Sequence, residues 1–371
     1  MRRRTFVATA AAGAVALAGC TVTRTDDGDD DEPVEAAPPE ERAEMDFSGD
    51  TLRVATYESF VDAPSDSPGE WIASEFEERY DVSFEWATPS QELTHFVEQH
   101  NEGAEIEADL YLGVRPQNMV RADRRIDGEM LAETDVELLA HGSDIGDEFF
   151  FDPHDRAVPT FLSHCAIVYD GRNIEQPETF EDLTTETYEG QIAVGNPSRS
   201  TTGLLFMLWT VNEFGEDGYL EYWRDLADND VRILDSWGEV YTQFQEEELP
   251  VVVSYSNDRV FAKRFDNPLD KHQVSLLNDQ GYANMAGVAR FADSSKTDLA
   301  YEFVDFLLEP EVQGVIAERN VTGPVNETAE PPEVFQEYAE EPEETVFYGY
   351  EELEENLEGW IDDWSREIVG N

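Results

Sequence analysis

The clearest candidate for chemistry is a pair of small hydroxylated residues at the predicted start of a helix. Ser200 and Thr201 come directly before an apolar segment that we predict to be helical over residues 202–214. A helix start exposes backbone N–H groups and carries a partial positive charge, and neighbouring hydroxyls add further donors. Such a site suits an anion such as a phosphate ester. The alternative is an ordinary N-cap, in which the serine satisfies the helix end and no ligand binds.

The residue types that support catalysis do not occur in the patterns that catalysis requires. The sequence has no Gly-x-Ser-x-Gly, Ser-x-x-Lys, Cys-x-x-Cys or His-Glu-x-x-His motif, and its six histidines show no regular spacing. Cys165 lies in an apolar run and is best explained as a buried strand residue. We therefore predict a protein that binds without chemistry, with no catalytic residue, no metal and no cofactor.

The first twenty residues have the order of an export signal. Arg3 and Arg4 precede an apolar run over residues 8–18, and a Leu-Ala-Gly-Cys motif ends at Cys20. The run is too short for a hydrocarbon core that needs about 20 residues. The arginine pair resembles a twin-arginine signal, and the last motif resembles a lipobox, whose cysteine becomes the lipidated first residue of the mature chain. We predict a protein anchored by lipid to the extracellular face of the membrane. A cleaved Sec signal with an incidental cysteine is the alternative.

The charge composition predicts the medium in which the protein works. Asp and Glu number 84 against 24 Lys and Arg, a formal net charge of -60, and only three residues are lysine. This charge repels nucleic acid. Self-repulsion is severe in dilute buffer, but at about 1 M salt the Debye length is roughly 3 Å. We therefore predict a halophilic source, most plausibly a haloarchaeon.

The order of predicted elements indicates a two-lobed α/β protein. Residues 21–47 are acidic and proline-rich and are predicted to be a flexible tether. Strands and helices alternate afterwards, which is typical of a parallel α/β sheet, and the mature length suits two domains. We predict lobe 1 over residues 48–157 together with 282–371, and lobe 2 over residues 158–281. Ligands of such folds bind between the lobes, where strand ends meet helix starts.

Several short motifs resemble, in order and spacing, the thiamine-binding protein family of ABC importers. The motifs are at residues 54–60, 108–113, 196–205, 236–241, 253–255 and 360–364, the last as a C-terminal helix. The resemblance covers about residues 52–367. It implies a periplasmic-binding-protein-like fold of type II with the ligand cleft between lobes. It also implies a monomer that binds thiamine or thiamine phosphate and delivers it to a membrane permease driven by an ATPase.

The resemblance assigns roles to the hydroxyl pair and to three aromatic residues. Ser200 and Thr201 match the pair that contacts the phosphate of phosphorylated thiamine. Trp237 matches a tryptophan that contacts the ligand, and a core tryptophan is the alternative. Tyr57 and Tyr255 are expected to face the cleft, where their rings can stack on a pyrimidine and attract a thiazolium cation by ~0.5–2 kcal/mol.

Other positions are matched less closely. Glu92 and Asp258 lie near family positions that could complement a cation, although surface solvation is the alternative for any one carboxylate in so acidic a chain. The acidic residue that the family has near the start of this helix falls at Gln91. A second cleft tyrosine is replaced by Phe261, and a late cleft tryptophan by Val321. Such changes imply weaker thiamine binding or a related ligand.

Two other hypotheses remain open at this stage. The same fold could bind ferric ion, a polyamine or a pyrimidine precursor. Ferric-binding relatives place two adjacent tyrosines where this chain has Tyr255 and Ser256, which counts against iron. The third hypothesis is an exported enzyme, for which the chain lacks a recognisable catalytic motif.

Overall fold

The computed structural model describes residues 36–370 apart from residues 64–65 and 127, and these form one compact unit. The predicted export signal, the anchor residue Cys20 and the first part of the predicted tether lie outside the described residues. Within the described part, no helix has both the length and the apolar character needed to cross a membrane.

The segment 36–47, assigned from the sequence to the tether, packs against the folded body. Helix α1 (Pro39–Arg42) ends at Arg42, which is 1% exposed. Its guanidinium forms ion pairs with Glu302, at 2.9 Å from Nε, and with Asp305. Contacts with the body therefore begin before the predicted tether boundary at residue 47.

The described residues contain twelve strands that form one mixed sheet. They are β1 (Thr51–Ala55), β2 (Ser83–Ala87), β3 (Leu110–Val114), β4 (Leu131–Ala132), β5 (Ala157–Tyr169), β6 (Ile192–Gly195), β7 (Arg232–Leu234), β8 (Val251–Tyr255), β9 (Gln273–Ser275), β10 (Gln280–Phe291), β11 (Gly323–Pro324) and β12 (Glu344–Val346). The main path through the sheet has the order β2-β1-β3-β10-β5-β8-β6-β7.

Two long strands join two parallel groups. Strands β1, β2 and β3 pair in parallel, as do β6, β7 and β8. Between the groups, β5 and β10 run antiparallel to each other; β10 also pairs with β3, and β5 with β8. Each of these two strands crosses a boundary predicted between the lobes, at residues 158 and 282. The lobe boundaries themselves stay a prediction.

The helices pack on the faces of this sheet. The remaining α-helices are α2 (Glu58–Val61), α3 (Gly69–Tyr80), α4 (Leu93–Glu102), α5 (Pro116–Asp123), α6 (Thr201–Asp228), α7 (Trp237–Gln245), α8 (Asp258–Arg264), α9 (Thr297–Leu308), α10 (Pro310–Arg319), α11 (Glu333–Tyr338) and α12 (Tyr350–Trp364). Short 3-10 turns occur at Val136–Leu138, Gly142–Asp144, Asp147–Phe149, Glu181–Thr184, Glu186–Tyr188 and Leu277–Asp279, and a π-helical turn at Ser365–Val369.

Helix α6 is interrupted by a glycine. Gly215 has φ 70° and ψ 173°, which only glycine adopts without strain, and the helix changes direction there. The sequence predicts two helices at residues 202–214 and 218–227, and these correspond to the two halves of α6. The second half carries Trp223, whose ring meets that of Trp364 edge-to-face with centroids 5.2 Å apart. Helix α12 is thereby fixed against α6.

Candidate functional site

The ends of β1 and β3 lie side by side and hold an aromatic ring against a glycine. Tyr57 follows β1, and Gly113 near the end of β3 has φ 96°. A Cβ at residue 113 would lie 2.7 Å from Tyr57 Cε1, so only glycine leaves space for this ring. The Tyr57 hydroxyl accepts a hydrogen bond from Asn320 Nδ2 at 3.1 Å. Burial raises the pKa of Tyr57 to about 12, so the phenol is neutral at physiological pH.

Arg115 follows β3 and is tied to both crossing strands. Its Nε donates to Asn284 Oδ1 at 3.0 Å, and its Nη1 donates to the carbonyl oxygen of Gly113 at 3.2 Å. Asn284, on β10, donates in turn to Ser163 Oγ on β5 at 3.1 Å. The guanidinium carbon lies 5.3 Å from the ring centroid of Tyr57, a cation–π geometry. Arg115 therefore connects the wall of the site to the strands that join the parallel groups.

Glu92 stands at the start of α4 in a strained conformation. Its φ is 49° and its ψ is -134°, a combination that disfavours residues with a Cβ and that persists where surrounding structure enforces it. Burial opposes the charge on Arg115, but attraction by Glu92 helps to hold the pKa of that guanidinium above its ordinary value. Gln91 is exposed. Of the two neighbouring candidates, Glu92 interacts with the Arg115 group.

The hydroxyl pair lies where the sequence places it, at the start of α6. Ser200 is the N-cap residue, and its Oγ accepts from Gly203 N at 3.4 Å and lies 3.0 Å from Thr202 Oγ1. Thr201, the first helical residue, is half-buried. A Cβ on Gly195, at the end of β6, would lie 2.3 Å from Ser200 Oγ. The start of α6 is thus packed closely on the carboxyl end of β6. The first N–H groups of the helix lie at this end of the strand.

Trp237 is held by a buried polar chain. It is 39% exposed, begins α7, and donates from Nε1 to Ser254 Oγ at 3.0 Å. Behind it, the Tyr241 hydroxyl donates to Asp258, whose second oxygen lies 2.7 Å from His272 Nδ1. Both carboxylate oxygens of Asp258 are therefore engaged inside the protein. Asp258 therefore holds Tyr241, on which the Trp237 ring packs, and this geometry favours a supporting role for Asp258 over a direct contact with a ligand.

Tyr255 lies between the start of α6 and the Arg115 group. Its ring centroid is 6.4 Å from that of Trp237, and its backbone pairs with Cys165 on β5. The Cys165 thiol is 3.9 Å from the carbonyl oxygen of Thr202 in the first turn of α6. Burial raises the pKa of Tyr255, while the charge of Arg115 acts in the opposite direction. Burial also raises the pKa of the Cys165 thiol, which is consistent with an inert buried residue.

The two aromatic replacements, Phe261 and Val321, both contact Asn257. Phe261, on α8, meets the Tyr241 ring edge-on with centroids 6.1 Å apart. Val321 has φ 55°, an outlier for a β-branched residue. It follows Asn320, and its carbonyl oxygen accepts from Asn257 Nδ2 at 3.0 Å. This hydrogen bond joins residues assigned from the sequence to different lobes, Asn257 to lobe 2 and Val321 to lobe 1.

Sequence reasoning missed three polar residues of the site: Arg115, Asn284 and Asn320. Arg115 left a usable signal, because it is a basic residue just after a predicted strand in a chain dominated by acids. The two asparagines left none, since their roles depend on tertiary contacts with Arg115 and Tyr57.

Two cavities among the described residues lie away from this site. A cavity of about 410 Å³ lies beside His154 and Tyr350, and one of about 560 Å³ beside Trp86 and His95. Neither cavity is lined by Tyr57, Arg115, Ser200, Trp237 or Tyr255. Within the described ranges, no group of three or more His, Cys, Asp or Glu side chains is placed to hold a metal ion.

Comparison with known proteins gives consistent matches. A family model described as bacterial extracellular solute-binding protein matches residues 122–356. The thiamine-binding periplasmic protein of Brucella suis is 24% identical over 318 residues, which cover 85% of this chain and 91% of that protein.

Solved structures agree with the sequence comparison. A periplasmic thiamin binding protein superposes with a TM-score of 0.75 at 23% identity, covering 86% of this chain and 96% of that one. The periplasmic binding protein AfuA from Actinobacillus pleuropneumoniae, with fructose-6-phosphate bound, gives a TM-score of 0.70 at 18% identity, covering 87% and 99%. The predicted fold class is therefore confirmed: an α/β protein with the two-lobed, type II periplasmic-binding-protein-like fold and its cleft between the lobes.

Proposed function

Because the chain belongs to the bacterial extracellular solute-binding protein family, we propose that it is the substrate-binding subunit of an ABC importer. Its ligand is thiamine or a thiamine phosphate ester, which it delivers to a membrane permease without chemical change. The relatives described as thiamine-binding proteins support this ligand. The observation that carries the proposal is the aromatic pair Trp237 and Tyr255, with ring centroids 6.4 Å apart, beside the start of α6.

The chemistry of thiamine matches these groups. Its pyrimidine can stack on Trp237 or Tyr255, and its thiazolium cation is attracted to aromatic faces and to the negative charge of Glu92. A phosphate ester would accept hydrogen bonds from the N–H groups and hydroxyls at Ser200 and Thr201. Tyr57 would complete the aromatic wall on the opposite side, positioned by Asn320.

A double variant tests the assignment of the helix start. Ser200→Ala with Thr201→Ala should weaken thiamine monophosphate by about 1–3 kcal/mol, because hydrogen bonds to a charged group are lost, and should change free thiamine much less. Ser198→Ala is the matched control, since Ser198 lies in the same loop but is exposed and bonded to Ser365 Oγ at 2.9 Å. If the double variant weakened thiamine and thiamine monophosphate equally, the phosphate would not bind at the start of α6.

The finer points of location are part of the same proposal. The protein is a monomer on the extracellular face of the membrane, anchored by lipid at Cys20 after twin-arginine export. Cys20→Ser should release it into the medium or leave an unprocessed precursor. Normal processing with unchanged membrane association would contradict the anchor. A ligand screen that includes ferric citrate, spermidine and hydroxymethylpyrimidine separates thiamine from the alternative ligands of this fold.

A further inference from the structure

Arg115 brings a buried positive charge to the wall of the cleft. The residue is 7% exposed and lies directly after β3, at a strand end of the kind that faces ligands in α/β proteins. It forms no ion pair with any residue in the described ranges. A buried charge without a direct ion pair is costly, and the longer-range attraction of Glu92 offsets that cost here.

The guanidinium is only partly used by the protein. Nε and Nη1 donate to Asn284 Oδ1 and to the carbonyl oxygen of Gly113, at 3.0 and 3.2 Å. Nη2 has no hydrogen-bond partner among the described residues. A guanidinium carries five N–H donors in a planar fork, and this fork matches the oxygens of a phosphate or carboxylate. Arg115 is therefore held in place by two bonds while part of its donor set remains unused.

The surroundings keep Arg115 charged and polarised. Tyr57 presents its ring face to the guanidinium at 5.3 Å, and Glu92 supplies a negative charge that stabilises it. Tyr255, from predicted lobe 2, also interacts electrostatically with Arg115. The site thus places the carboxylate of Glu92 and the guanidinium of Arg115 near the rings of Tyr57 and Tyr255.

We propose that Arg115 binds an anionic group of the ligand, a phosphate or carboxylate, and selects an anionic or zwitterionic ligand over a simple cation. The identity of the ligand rests on the proposed function; for that ligand class, the inference names thiamine monophosphate as preferred over thiamine. The cation of such a zwitterion would lie near Glu92 and its anion at Arg115. Because Arg115 belongs to predicted lobe 1 and the α6 start to lobe 2, one bound anion could be shared between the lobes.

The test compares ligand affinities of the whole mature protein at molar KCl, where it is expected to be folded. Thiamine and thiamine monophosphate are titrated into wild type, Arg115→Gln and Arg115→Lys. Arg199→Gln is the matched control, because it also removes one positive charge beside Ser200 but from an exposed side chain paired with Asp235. Screening by salt acts much less on a buried contact than on this exposed one.

We expect wild type to bind the monophosphate more tightly than thiamine. Arg115→Gln should weaken the monophosphate on the order of 10- to 100-fold, and thiamine should bind unchanged or more tightly because a repelling cation is gone. Arg115→Lys should fall between wild type and Arg115→Gln, and Arg199→Gln should match wild type. A purely structural role would weaken both ligands equally, and that result would overturn the inference.

Two further outcomes separate this inference from the proposed function. If wild type binds thiamine as tightly as the monophosphate or more tightly, Arg115 is not an anion contact although the proposed function stands; this comparison needs no variant to fold. If wild type binds neither, the proposed function fails, and inorganic phosphate and fructose 6-phosphate are titrated instead. Saturable binding that Arg115→Gln abolishes supports the inference, and the absence of any anion response overturns it.

Discussion

Trp237 lies nearly parallel to Tyr241, with ring centroids 4.9 Å apart and ring planes 21° from each other. One face of the indole is therefore fixed against a buried residue, while 39% of Trp237 remains exposed. The Tyr241 hydroxyl is held by Asp258, which is held by His272. An exposed aromatic ring with this support is suited to bind a ligand without losing side-chain entropy.

Removing the indole should cost binding free energy. Trp237→Ala is expected to weaken thiamine and its monophosphate alike, by about 1–2 kcal/mol, because stacking and cation–π contacts are common to both. Trp237→Phe should weaken binding less than Trp237→Ala, because phenylalanine keeps part of the stacking contact. Isothermal titration calorimetry measures both constants. The control is Phe347→Ala, which removes another exposed aromatic side chain, 45% exposed, outside the site; a loss of the same size in this control would contradict a specific role for Trp237.

His164 should make stability depend on pH in the acid range. Burial lowers its pKa from 6.5 to about 4, and its Nε2 lies 3.0 Å from Thr345 Oγ1. Between pH 4 and 6.5 the unfolded chain binds a proton that the folded chain does not. The free energy of unfolding therefore rises with pH in this window and falls as the pH is lowered from 6.5 towards 4. Over the whole window the loss amounts to about 3 kcal/mol.

Urea melts at fixed KCl measure this contribution. His164→Gln should show a shallower decline of stability with acidification than wild type, because the titrating ring is absent. His95→Gln, a change at a half-exposed histidine on α4, is the control and should follow wild type. Identical pH slopes for wild type and His164→Gln would show that the ring does not titrate in this window.

Val321 should tolerate replacement better than its burial implies. Its φ of 55° costs a β-branched residue about 1–2 kcal/mol, and asparagine adopts this conformation more readily. We expect Val321→Asn to leave stability unchanged or slightly raised. Val334→Asn is the control, because Val334 packs in the same apolar cluster but from helix α11. A comparable loss of stability in both variants, read from urea midpoints, would show that φ strain at Val321 is unimportant.

The net charge should make folding depend on salt. With a formal charge of -60, the compact state suffers from repulsion that the unfolded chain relieves by expanding. The urea midpoint is expected to rise steeply between about 0.1 and 2 M KCl, beyond the concentration at which Debye screening saturates. Circular dichroism follows the transition. A midpoint independent of salt would contradict adaptation to a halophilic medium.

Elements whose signal is local could be predicted from the sequence. The sequence predicts a helix over residues 69–80, and α3 has these bounds. Ile72 and Phe76 recur at helical spacing, and the chain turns into a left-handed conformation at Asp81. Strand β8 also has the predicted bounds, 251–255, since its apolar residues are contiguous. The position of Ser200 as an N-cap follows from residue type and the apolar helix behind it.

Features that depend on long-range contacts could not be predicted. The sequence marks only residues 165–169 and 283–289 as strand-like segments. The crossing strands β5 and β10 are longer, because their ends pair with partners far away in the chain. The ion pair between Arg42 and Glu302 could not be predicted either, because the composition of the segment around Arg42 indicates a flexible tether. Likewise, nothing local to Arg115 reveals that Asn284 orients it.

Thiamine binding is measured directly by titrating the wild-type mature protein with thiamine and thiamine monophosphate at molar KCl and following tryptophan fluorescence. Trp237 lies on the proposed contact surface and is partly exposed, so ligand binding should change its emission saturably. We expect such a response to at least one thiamine form. In Trp237→Phe the fluorescence response should be absent although calorimetry still detects binding. No saturable response to either form, together with saturable binding of ferric citrate, spermidine or hydroxymethylpyrimidine, would contradict the assignment of thiamine.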